Sequence, residues 1–192
     1  KYAKEKDFNV SMISNSTLLN DDRIQKLLAS GLDRYQTNFE SIEKEEYEAI
    51  KGRPVYDHTK NNILKLIEEN EKLGHKLYIS ITIIPTKINK DSVEKTKVYW
   101  EAQKIDHVYM SPLLTLQTDS GIYEEAVEGI DLSKYEICAV PWGAMTIFYD
   151  GKAVICAQDF DDKYVVGNML HQSTQEVWNG PKAQRLRQAL ID

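Results

Sequence analysis

The chain has 192 residues, 42% hydrophobic and 28% charged, with a formal net charge of −6. That is enough apolar content for one sizeable core or two small ones, and the charge disfavours wholesale phosphate binding. No run approaches the roughly 18 apolar residues of a membrane helix, and the start, Lys1-Tyr-Ala-Lys-Glu-Lys, has no apolar signal core, so nucleic acid and membrane partners are disfavoured and a cytoplasmic location is the default expectation. Because Lys1 is not a start methionine and a strand-like run follows almost at once, the chain is expected to be an excerpt.

In chain order, Phe8–Ser14 reads as a first strand. Asn20 is placed to cap the next helix, Asp21 and Asp22 suit its positive end, and Ile24, Leu27 and Leu28 share one face up to Gly31. Arg34–Phe39 reads as a second strand and Asp57–Leu73 as a second helix, with Ile63, Leu66, Ile67 and Leu73 inward. The run Glu43–Glu46 reads as a solvated face. Lys76–Ile84 is a β-branched strand closed by Pro85, Asp91–Gln103 is helical, and His107–Ser111 is a fourth strand.

This alternation predicts an α/β fold with parallel strands and right-handed crossovers, either half a (β/α) barrel or half a doubly wound sheet. After Pro112 the pattern lapses, and the acidic stretch around 119–131 reads as linker. Ala144–Tyr149 and Lys152–Cys156 then flank Asp150-Gly151, a strong hairpin signal. Ser173 with Glu176 forms a capping box, and Pro181 opens a last helix through Arg187 and Leu190.

The most specific chemical pattern is Cys138-x12-Gly151-x4-Cys156, two thiols on either side of a turn. Two cysteines make no secreted-type disulfide framework. Thiolates ligate iron–sulfur clusters and zinc, but either needs about four ligands, and two buried cysteines also fill cores as small hydrophobes.

With Gly151 between them, Cys138 and Cys156 match the Cys-x9–15-Gly-x4-Cys motif of the radical S-adenosylmethionine (SAM) family carrying a SPASM or twitch C-terminal extension, and the chain resembles that family in further segments. Cys156-Ala-Gln-Asp159, Val166-Gly-Asn168, Ser173-x-x-Glu-Val-Trp-Asn179 and Arg187 follow in the family's order. Upstream, Ser14-Asn15-Ser16-Thr17 is similar to the family's Thr-Asn-Gly-Thr. Gly31-Leu-Asp33 with Tyr35–Glu40 is similar to its fourth barrel strand, and Tyr47-Glu-Ala-Ile-Lys51-Gly52 to its Tyr-x-x-Ile-Arg-Gly.

The resemblance implies a partial TIM-like radical SAM barrel over residues 1–112, a linker over 113–137, and the start of a SPASM/twitch domain of hairpin plus helices over 138–192. It places Asn15, Asn38 and Thr82 at the barrel mouth. Asn38 would stand at the SAM-contacting serine position, where its amide still donates and accepts. Lys51 would replace an arginine that holds the SAM carboxylate, losing the bidentate fork, and Arg53 is the candidate to take over. Without such a site, Asn38 is a strand-end turn residue and Lys51 and Arg53 are surface charges. Cys138 and Cys156 would ligate an auxiliary iron–sulfur cluster.

The family's Cys-x3-Cys-x2-Cys segment for the SAM-binding 4Fe–4S cluster is absent from the sequence, so the resemblance implies an N-terminal piece before Lys1 and later cysteines beyond Asp192. The implied parent is a radical SAM oxidoreductase or modifying enzyme acting on a peptide or small molecule and fed by flavodoxin or ferredoxin, with this chain inactive alone. An open sheet edge at Phe8–Ser14 implies a missing N-terminal half or a homo-oligomer to cover it. Two other readings stay open: a degenerate barrel module that binds a peptide or protein, and a zinc protein using the thiols with His107 or His171.

Overall fold

Four runs rich in β-branched and aromatic residues lie side by side, each connected to the next through helix. The computed structural model describes residues 1–111 and 138–191, which form two separate units. The first contains α1 (Tyr2–Glu5), β1 (Ser11–Ser14), α2 (Asp21–Leu28), β2 (Arg34–Asn38), α3 (Lys44–Lys51), α4 (Tyr56–Lys72), β3 (Tyr78–Ile83), α5 (Val93–Glu101) and β4 (His107–Met110). Its sheet order is β1-β2-β3-β4, every pair parallel, as the strand–helix alternation predicts.

Parallel partners share a face, so the register Tyr35↔Ile79, Thr37↔Ile81 and Ile81↔Val108 gathers one largely apolar surface. Ile24 of α2, Ile63 and Leu66 of α4 and Trp100 of α5 join it in one buried core. The opposite face carries Gln36, Asn38, Ser80, Thr82 and Tyr109. Helices packed on one face of a parallel sheet are the arrangement of a (β/α) barrel wall, whereas a doubly wound sheet carries them on both faces.

Local chemistry sets the helix ends. The Asn20 side chain accepts from the Arg23 amide at 2.9 Å, capping α2. At the end of α4, Asn70 is 1% exposed. Its Nδ2 donates to the Leu77 carbonyl at 2.8 Å, and its Oδ1 accepts from the Leu77 amide at 3.0 Å, tying the helix to the chain entering β3.

The helix α3 was not anticipated as a separate element, and the reading of Glu43–Glu46 as a solvated face holds for the exposed Lys44 and Glu45 but is corrected for Glu46. Glu46 accepts from Ser41 Oγ at 2.6 Å and from Ser92, and Glu43 pairs with Lys95, so the run docks against α5. Its charges have local partners that sequence spacing does not reveal.

The second unit holds α6 (Val140–Gly143), β5 (Thr146–Ile147), β6 (Lys152–Val154), β7 (Val165–Asn168), α7 (Thr174–Trp178) and α8 (Pro181–Ala189). The strands form an antiparallel sheet β5-β6-β7. Gly151 turns the β5–β6 hairpin at φ 83°, and a Cβ there would meet Leu170 Cγ at 2.6 Å and Asn168 Oδ1 at 2.8 Å, so glycine is required on two counts. The capping box is present: Ser173 Oγ accepts from the Glu176 amide at 3.3 Å and Glu176 Oε2 accepts from the Ser173 amide at 2.7 Å.

The third strand, β7, was not expected. Gly167 and Asn168 are poor strand formers by propensity, but a Cβ at Gly167 would come within 2.7 Å of Val177 Cγ2, so the glycine lets α7 pack onto the strand. The expected linker at 113–137 lies outside the described residues.

Removing the Asn70 clamp should strand a buried amide and a buried carbonyl together. Asn70→Ala is expected to destabilise the first unit by about 3 kcal/mol, read from urea unfolding. A change below about 0.5 kcal/mol would show that the clamp contributes nothing net.

Candidate functional site

Two regions carry the candidate residues. In the first unit they gather at the C-terminal ends of β1 to β3. Asn38 ends β2 half-buried, in register with Thr82 of β3, and Thr82 Oγ1 accepts from Gln36 Nε2 at 2.7 Å. Asn15 is exposed just past β1, where its Oδ1 accepts from the Thr17 amide at 3.1 Å.

The next residue, Ser16, stands where the family segment has glycine and takes a left-handed φ of 59°. Its buried hydroxyl donates to Thr37 Oγ1 at 2.7 Å and lies 2.8 Å from the Tyr35 hydroxyl. Asn62 Nδ2 donates to the Ser16 carbonyl at 3.0 Å. These bonds compensate a backbone conformation that costs a non-glycine residue of order 1 kcal/mol, and they hold the loop bearing Asn15 against β2 and α4.

Lys51 ends α3 with its ammonium 2.7 Å from Glu40 Oε1 and 5.4 Å from the centre of the Tyr47 ring. Burial pushes the Tyr47 phenol up to about 12, so it stays protonated and neutral. The Glu40 side chain is 6% exposed and Lys51 21%, while Glu40 Oε2 is buried without a hydrogen-bond partner. Arg53 is exposed beyond the helix end. Lys51 and Asn38 thus share the region beyond β2 through Glu40, two residues past Asn38, whereas Arg53 stands apart in solvent.

Glu40 and Gln36 were missed by sequence reasoning. Part of the signal for Glu40 was available, since a carboxylate right after a buried strand demands a cation, but the helix that ends in Lys51 was not anticipated.

In the second unit, Cys138 is exposed and Cys156 is partly buried, both as free thiols. They line one cavity of about 430 Å³ with Pro141, Ile155, Asp159 and Leu186. The Gln158 amide donates to Cys156 Sγ at 3.4 Å, and the Asp159 amide donates to the Cys156 carbonyl at 3.1 Å. Asp159 in turn accepts from the Lys163 and Tyr164 amides at 2.9 and 2.8 Å, closing the loop behind the thiol.

Soft sulfur donors on one wall, one already receiving an N–H bond, suit an iron–sulfur cluster. No group of three or more His, Cys, Asp or Glu able to hold a metal occurs among the described residues. Within the second unit, His171 does not complete a zinc set with the two thiols among the described residues.

A family model described as the Radical SAM superfamily matches residues 1–99, and one described as an iron-sulfur cluster-binding domain, SPASM, matches residues 138–191. No curated protein matches the chain. Among solved structures, Streptococcus suis SuiB aligns at TM-score 0.68 and 14% identity, covering 97% of this chain and 52% of its own. SuiB bound to S-adenosylmethionine aligns at 0.69 and 14%, covering 96% and 51%. The structure of native anSMEcpe with bound AdoMet and Kp18Cys peptide aligns at 0.62 and 15%, covering 95% and 60%. The likeness is one of fold, and the chain spans between 51% and 60% of the length of these proteins.

The Glu40–Lys51 pair makes a separable prediction. Lys51→Met strands a buried carboxylate and should destabilise the first unit by about 2 kcal/mol, below the usual 3–5 for a buried pair because Lys51 keeps some solvent. Glu40→Gln should cost less, and the double variant should cost less than the sum of the two. Additive losses in urea unfolding would show that the two residues do not interact.

Proposed function

The chain belongs to the radical SAM superfamily, and on that premise we propose that it is part of an enzyme that reductively cleaves SAM to a 5′-deoxyadenosyl radical, modifies a peptide, and uses an auxiliary iron–sulfur cluster near Cys138 and Cys156. The radical SAM and SPASM domains imply SAM and 4Fe–4S clusters as cofactors. The observation that carries the auxiliary site is that both thiols line one cavity in the unit matched to SPASM.

In this reading residues 1–112 are the barrel portion, 113–137 the linker and 138–192 the start of the cluster domain. Asn15 and Asn38 offer amides to SAM from the strand ends. Lys51 keeps donors beyond the one given to Glu40, and Glu40 holds it beside the end of β2. Arg53, exposed and on the same segment, is a second cation for an incoming carboxylate. A peptide is favoured over a small molecule because anSMEcpe, of similar fold, has been solved with peptides bound.

The sequence holds two cysteines, so the three thiolates of the SAM-binding cluster must come from outside these 192 residues, and the chain alone should not generate the radical. Electrons would come from a small carrier such as flavodoxin or ferredoxin, and a cytoplasmic setting suits such carriers. The degenerate-module alternative predicts no cluster at all.

β1 forms one edge of its sheet among the described residues, with Met12 45% and Ile13 68% exposed. An uncovered edge of a parallel sheet invites pairing. The proposed occupant is a preceding portion of the same barrel or, without it, a second copy of this chain. In sedimentation of the 192-residue chain we expect association that Ile13→Lys weakens. A clean monomer whose β1 amides exchange freely with deuterium would oppose this.

The cluster assignment is tested by anaerobic reconstitution of the full-length parent with ferrous iron and sulfide, since the two thiols of these 192 residues hold a cluster poorly. Cys138→Ala and Cys156→Ala should each lower the bound iron and the visible sulfur-to-iron absorbance relative to the parent. If both variants keep the parent's iron, the assignment fails.

A further inference from the structure

Arg187 of α8 is 6% exposed, yet among the described residues it has no carboxylate partner. Its Nε donates to the Pro141 carbonyl at 2.8 Å, its Nη1 donates to the Trp178 carbonyl at 2.7 Å, and its guanidinium lies 4.3 Å from the Trp178 ring centre. Its Nη2 is buried with no hydrogen-bond partner. Carbonyl dipoles and an aromatic face offset part of the desolvation of a guanidinium, but they supply no opposite charge, and among the described residues no carboxylate does.

The location matters more than the cost. Pro141, which accepts from Nε, also lines the cavity that holds both thiols, and Leu186, Ala189 and Leu190 of the same helical segment line that cavity too. Pro141 is three residues past Cys138. Arg187 therefore fastens the arm that carries Cys138 to α8 and sets a permanent positive charge behind the cavity wall.

We propose that Arg187 is a positioning residue for the auxiliary cluster: its fork fixes the Cys138 arm, and its charge offsets the negative charge that thiolate ligation brings into the cavity. This rests on the cluster reading of Cys138 and Cys156. A cluster with thiolate ligands is anionic, and a nearby fixed cation stabilises its more reduced, more negative state. Removing the cation must then weaken retention and move the midpoint potential to more negative values. Removing the fork alone affects only retention.

The test compares Arg187→Gln and Arg187→Lys, each made in the full-length parent, with that parent after reconstitution with iron and sulfide. It reads the midpoint potential of the signal that the cysteine variants abolish and the loss of iron to a chelator. Arg187→Gln should lose iron roughly 10- to 100-fold faster and shift to a more negative potential. Arg187→Lys, which keeps the charge without the fork, should lose iron faster while its potential stays at the parent's.

Equal potentials in all three proteins would overturn the charge role, as would equal shifts in both variants, because a purely structural residue would not distinguish lysine from glutamine. If Arg187→Gln fails to fold, Arg187→Lys still tests the proposal: iron loss at the parent's rate overturns the role of the fork, and a shifted potential overturns the role of the charge. Cysteine variants that keep the parent's iron would instead defeat the cluster reading, a failure distinct from that of Arg187.

Discussion

The first unit depends on one aromatic cluster at the end of β2. Phe39 stacks on Tyr47 with centroids 4.4 Å apart, meets Trp100 edge-on at 4.9 Å and lies 5.7 Å from Tyr56. Four rings from a strand end and three helices meet there, with Phe39, Tyr47 and Trp100 at 0% exposure. Large rigid rings bury much apolar area with few rotors to freeze, so α3, α4 and α5 are fixed relative to the sheet where the candidate residues emerge. The placement of Glu40 and Lys51 follows, since Glu40 adjoins Phe39 in sequence and Lys51 lies one helical turn beyond Tyr47.

The two faces of the sheet then divide the work. The helix-covered face provides the packing, while the other carries hydroxyls and amides, including Gln36 bonded to Thr82 beside Asn38. Buried polar side chains such as Ser80 and Thr82, each 4% exposed, are poor contributors to a core and useful ones to a binding wall. The second unit repeats the contrast on a smaller scale, with Ala153, Ile155, Val166, Val177 and Ala183 forming its core and the thiols on a cavity at its margin.

Much of the fold was legible because strands and helices announce themselves by period. Ile63, Leu66 and Ile67 fall on one helical face and are buried, and Ile79, Ile81 and Ile83 are buried in the strand their β-branching predicts. The hairpin was legible from Asp150-Gly151, although its paired strands are shorter than the apolar runs that flank it. What escaped depends on partners distant in sequence. The acidic start of α3 looks solvated until Ser92 and Lys95 are seen beside it, and β7 has a glycine whose reason is a helix ten residues later. At the candidate sites, the thiol pair was legible as spacing. The Glu40 pairing and the lone buried guanidinium of Arg187 were not, because sequence lists charges without saying which of them lose water.

Gly151 also divides the cysteine pattern into two gaps that differ in how readily they take an inserted residue. The stretch from Cys138 to the turn includes α6 and irregular backbone, which can absorb inserted residues with local rearrangement. The four residues between Gly151 and Cys156 include β6, which pairs with β5 on one side and, across a β-bulge at Ala153/Val154, with β7 on the other, and which starts where Gly151 packs on Leu170. One residue more or less there must either be absorbed by a further bulge or turn the side chains between it and Cys156 to the opposite side of the sheet. The first interval thus tolerates a change of length more readily than the second, an asymmetry imposed by strand pairing and independent of any chemistry the sulfur performs.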